Sequence, residues 1–95
     1  MSTHVTLSIW AGGSQVLAAQ VMWPSDIPMP DGGHDTVCMG KDQKEWFGVQ
    51  QRIFYPDKGP LSRVLLTLVA APDHMDRDYA KRLVQESFSV NRFVS

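Results

Sequence analysis

Cys38, His34 and Asp35 fall within five consecutive positions, and a thiol, an imidazole and a carboxylate are the groups that nucleophilic catalysis combines. Their spacing works against that use. On extended backbone the step from residue 34 to residue 38 covers about 13 Å, so thiol and ring cannot meet. A base for Cys38 would have to be His4 or His74, and no pattern in the chain demands either. Cys38 is therefore expected to be a small apolar residue buried on a strand, and His34, after Gly32 and Gly33, a solvated loop residue. Asp31, His34, Asp35 and Cys38 remain the candidates for a weaker alternative. In it the loop 31–35 lies over a pocket lined by Trp23 and Met39, in a small-molecule-binding protein or minor enzyme.

A second polar group, Asp73, His74, Asp76 and Asp78, invites a metal. On a helix beginning at 74, His74 and Asp78 would share a face, but two ligands do not define a site and the glycine of a calcium loop is missing. Acids at a helix start satisfy free amides and the positive end of the dipole, which explains them without an ion. The glycine pairs 12–13 and 32–33 match neither phosphate-binding pattern and precede no helix. Turn chemistry accounts for both. No metal site and no cofactor is expected.

Arg52 and Arg63 lie in neighbouring strand-like segments that also hold Trp46, Phe54 and Tyr55. Arginines and aromatics on a sheet are how single-stranded nucleic acid is gripped, which supplies a second alternative. The bulk charge opposes it: nine Lys and Arg against ten Asp and Glu leave −1 (9 − 10). No polyanion is recruited by such a balance.

These residues need elements to hold them. Val5, Leu7 and Ile9 alternate with polar neighbours, Gly12 and Gly13 supply a turn, and Leu17, Ala19, Val21 and Trp23 resume the alternation. The spacing predicts a hairpin of strands 4–10 and 15–23. Pro24, Pro28, Pro30 and the glycines make 24–33 an ordered loop anchored by Ile27 and Met29. A short strand follows at 35–39. Residues 42–54 carry both periods: Asp42 with Glu45 resembles a capping box, whereas Phe47, Val49, Gln51, Ile53 and Tyr55 alternate. The alternation, and the cost of Gly48 inside a helix, favour a strand at 46–55. Segment 61–71 is apolar on both faces, as in a strand covered twice. Pro72 ends it, and the acids at 73 and 76 introduce a helix at 74–89 with Met75, Tyr79, Leu83, Val84 and Phe88 on one stripe.

The expected fold is thus α+β: about five mostly antiparallel strands with one C-terminal helix on one sheet face. With 95 residues, 43% of them apolar and 20% charged, the chain is expected to be one globular domain over 1–95. One cysteine permits no intrachain disulfide, and no apolar run approaches the roughly 20 residues of a membrane span. The N-terminal residues lack the pattern of a secretory signal. Together these point to a cytoplasmic location with no membrane partner.

Apolar surface is the feature that points furthest. One helix covers one face, yet 64–70 is apolar on both, and Trp10 and Met22 fall on the minority faces of their strands. Either the loop 24–33 and the tail 90–95 fold over the second face through Ile27, Met29, Phe93 and Val94, or that face awaits a partner. The chain is accordingly expected to be a non-catalytic protein–protein interaction or regulatory module, self-associating through the apolar sheet face. Trp10, Met22, Trp46 and Arg63 are its candidate contact residues.

Overall fold

A computed structural model describes residues 3–24, 26–33, 35–42, 45–55 and 63–94. Strands β1 (Thr3–Ala11) and β2 (Ser14–Trp23) form the hairpin. Gly12 and Gly13 sit at φ 58° and 82°, the two positive values that a two-residue turn matched to strand twist requires. Next come β3 (Thr36–Met39), β4 (Glu45–Tyr55), β5 (Arg63–Ala70), helix α1 (Arg77–Ser87) and β6 (Ser89–Phe93). The strands lie in the order β3-β4-β5-β1-β2-β6. Only β1 and β5 run parallel; the other four pairings are antiparallel. The architecture is α+β, as the patterns predict, with one strand more than the five they give.

The added strand is the tail. Val90 and Phe93 are three apart, a spacing that hides a strand. Asn91 is an extra residue between the pairs Val21↔Val90 and Gln20↔Arg92. That bulge lets both Val90 and Phe93 pack against the core.

Helix α1 is shorter than the 74–89 expectation. The Asp76 carboxylate accepts the Asp78 N–H at 3.3 Å, and Asp76 itself is extended, so it caps the helix and leaves His74 outside it. His74 and Asp78 consequently do not share a helical face. Phe88 ends the helix, its N–H still bonded to the Val84 carbonyl at 2.9 Å. Ala80, Leu83 and Val84 are buried, together with Val5, Leu7, Ile9, Leu17, Ala19, Val21, Leu66 and Leu68 from the facing strands. The sheet curls about the helix, which touches β2, β3 and β6, strands near both ends of the order.

Strand β4 does not keep the single alternation read from Phe47 to Tyr55. Val49 pairs with Leu68 and Gln51 with Thr67, leaving Gln50 as an extra residue. Beyond this bulge the parity reverses. Phe47 and Val49 are core residues, whereas Ile53 pairs with Leu65 on the opposite face, and Arg52 and Phe54 take the helix side opposite Leu66 and Val64.

Candidate functional site

The register of the sheet decides which candidates meet. On the face turned away from α1, the cross-strand rows run Thr36–Gly48–Val69–Trp10 and Ile53–Leu65–Thr6–Gln20, with Gln51–Thr67–Ser8–Ala18 between them. Trp46 stands opposite Cys38 at one end of β4, and Met22 opposite His4 at the far end of the hairpin. Trp10 and Trp46 share this face near one end of the sheet. Met22 shares the face but lies at the other end. Arg63 pairs with His4 and Tyr55 in that same far row, but its side chain lies outside the described residues.

Nothing described folds over this face. Met29, of the proline-rich loop, packs against the core on the helix side, and the Trp23 indole N–H donates to the Ile27 carbonyl at 2.9 Å. The tail extends the sheet as β6, with Phe93 turned to the core. Of the two outcomes open for the second face, the folded-back cover is not seen among the described residues. Gly48 shows the openness directly, since a Cβ built there meets nothing within 4 Å.

Leu65, Val69, Trp10, Met22 and Ile53 are half-buried among their strand neighbours, and Trp46 is 53% exposed. The Trp10 indole N–H donates to the Ser8 hydroxyl at 2.8 Å, which draws the ring along its own strand. The same face sinks into an open hollow of about 830 Å³ lined by Ser8, Trp10, Gln50, Gln51, Leu65 and Val69, with Gly13 and Thr67 completing it and Trp46 outside the lining. No lining residue carries a formal charge. The arrangement is suited to holding a neutral, partly apolar surface and not to moving protons.

The other candidates are dispersed. Cys38 is exposed, against the expectation that it is buried; alternation on β3 turns Met39 inward instead, at 0% exposure. Asp31 is tied up by the Arg52 guanidinium at 2.6 Å, and the Asp35 carboxylate accepts the Asp31 N–H at 2.6 Å. His34 lies outside the described residues. Asp35 and Cys38 do help line a separate trough, together with Trp23 but without Met39. Arg52 and Phe54 share the helix side, the guanidinium 5.0 Å from the ring centroid, and Trp46 is on the other face; the side chains of Tyr55 and Arg63 lie outside the described residues. Among the described residues no three His, Cys, Asp or Glu converge, and no helix is long and apolar enough to cross a membrane.

Two contributors escaped the residue patterns. Gln50 lines the hollow because of its bulge, which no periodicity announces. Tyr79 donates its hydroxyl to the Glu45 carboxylate at 2.8 Å, joining α1 to the start of β4. That bond raises the phenol above its ordinary pKa, with partial desolvation and the Glu45 charge adding to the shift. Comparison of the chain with known families, with curated proteins and with solved structures yields no match.

Proposed function

We propose that the protein is a non-catalytic interaction module that pairs with a second copy of itself through the sheet face opposite α1. The observation that carries this is a knob and a hole on one face: Trp46, 53% exposed and two residues along β4 from the Gly48–Val69 pair, and the neutral hollow bounded by Trp10, Gln50 and Val69. A twofold axis would seat each copy's knob in the other's hole, the self-complementarity that an isologous interface needs.

Charge and area support the same occupant. The rows around the hollow carry hydroxyls and amides, which both donate and accept, so a copy meets no like charge. Six strands at about 4.8 Å spacing and about 20–25 Å of strand length give roughly 500–600 Å² per copy. The total of about 1,000 Å² meets the lower bound for a specific contact and implies modest affinity. A cytoplasmic location goes with this proposal, since the lone Cys38 closes no disulfide within the chain.

Tryptophan emission tests it. As concentration rises, burial of Trp46 shifts the emission to shorter wavelength, and the Trp46→Phe variant loses that concentration dependence. Emission independent of concentration in the unsubstituted protein would overturn the proposal.

A further inference from the structure

The sheet has a second unfinished boundary, the outer edge of β3. That edge borders a trough of about 700 Å³ lined by Trp23, Ile27, Met29, Val37 and Phe88, with the prolines of the loop along one wall. The volume falls in the ~300–1,000 Å³ range of ligand-sized clefts. Trp23 and Phe88 meet across its floor with ring centroids 5.3 Å apart.

Backbone bonding fixes which groups face the trough. The Val49 N–H donates to the Asp35 carbonyl at 3.0 Å, so residue 35 turns its carbonyl toward β4. Antiparallel ladders alternate, and Val37 and Met39 do likewise while Thr36 and Cys38 turn their N–H and C=O groups outward. The next outward donor on the same edge, the Gly40 N–H, is already taken by the Ser87 hydroxyl at 2.8 Å. The Lys41 N–H follows with the Glu86 carboxylate at 3.3 Å. The end of α1 thus closes one end of the trough, and the edge stays open along Thr36–Cys38.

We propose that this trough binds an extended peptide segment of a partner protein by strand addition to β3. The peptide pairs its backbone with Thr36 and Cys38 and drops alternate apolar side chains against Trp23, Met29 and Phe88. Asp35, Lys41 and Glu86 are the charged residues of the lining, two acids to one base. A segment carrying a Lys or Arg complements that excess. Thr36 and Cys38 border the self-pairing face, but the peptide uses their backbone edge, so this site does not depend on self-pairing.

The test begins with a phage-displayed library of linear twelve-residue peptides panned against the full chain. Enriched peptides are expected to alternate apolar residues and to carry a basic one. Thr36→Pro removes an outward donor that the ladder does not use, so the edge tolerates it, and affinity for a synthesised enriched peptide should fall about tenfold, the scale of one lost hydrogen bond. Val69→Lys, on the other face, should leave that affinity unchanged. In the unsubstituted protein, saturating peptide should slow hydrogen exchange at the Thr36 and Cys38 amides, a readout independent of how well the proline variant folds. No enrichment, full affinity for a folded Thr36→Pro, or unprotected Thr36 and Cys38 amides in the saturated complex would each overturn the proposal. Protection of those amides by self-association without peptide would also overturn it, because a second copy would then be the occupant.

Discussion

The Arg52 guanidinium sits 2.6 Å from the Asp31 carboxylate and also donates to the Met29 and Pro30 carbonyls at 3.3 and 3.4 Å. One side chain from β4 thereby clamps the proline-rich loop to the helix side of the sheet, which keeps the opposite face bare. The Gln50 bulge is what turns Arg52 to that side.

Loss of the clamp should loosen the loop before it unfolds the protein. Arg52→Met strands two carbonyls and an aspartate, but Asp31 is 61% exposed, so water recovers much of the interaction and the cost is about 1 kcal/mol. Amide exchange in residues 26–33 should accelerate far more than in β1. Uniform acceleration across the sheet would show that the loop is held by other means.

Two glycines should respond oppositely to a side chain. Gly12 has φ 58°, and an added Cβ collides with the Asp73 carbonyl oxygen. Gly12→Ala therefore costs on the order of 2 kcal/mol or more in urea unfolding, from strain plus clash. Gly48 lies in mid-strand, outside the left-handed region and with open space above it. Gly48→Thr should stabilise by about 0.5–1 kcal/mol through strand preference and a less flexible unfolded chain. Destabilisation by Gly48→Thr would mean that the face is not open there.

Tyr79 gives the fold an alkaline limit. Its folded pKa is raised above the ordinary 10.0, first by the hydrogen bond to Glu45. The unfolded phenol therefore loses its proton more readily than the folded one. This contribution to stability is complete below the unfolded value and is lost as pH rises through the folded one. The urea midpoint should fall above about pH 10 in the unsubstituted protein, and the difference from Tyr79→Phe should shrink over the same range. A constant difference from pH 8 to pH 11 would contradict the assignment.

Most elements were legible in residue spacing. Val5, Leu7 and Ile9 against Leu17, Ala19 and Val21 located the hairpin and its inner face, and the acids before Arg77 located the helix. What spacing missed were the bulges at Gln50 and Asn91, because an extra residue preserves the composition while reversing or shifting the face. Gln50 moved Ile53 outward and Arg52 inward, and Asn91 turned an apparent tail into β6. The exposure of Cys38 was also hidden, since a strand of four residues fixes its parity only through its partner β4. For the site, the two-sided apolarity of Leu65, Leu66, Leu68 and Val69 marked the open face. The hollow depends on the register across the three strands β4, β5 and β1, which no local pattern contains.

Self-pairing through that face is the central claim, and sedimentation equilibrium tests it most directly. Between about 1 and about 200 μM, the range for a modest interface, the apparent mass should climb from the 10.7 kDa of one chain toward twice that. Trp46→Glu, on an exposed position, should hold the monomer mass throughout with an unchanged urea midpoint. A single-chain mass for the unsubstituted protein across the whole range would contradict the claim.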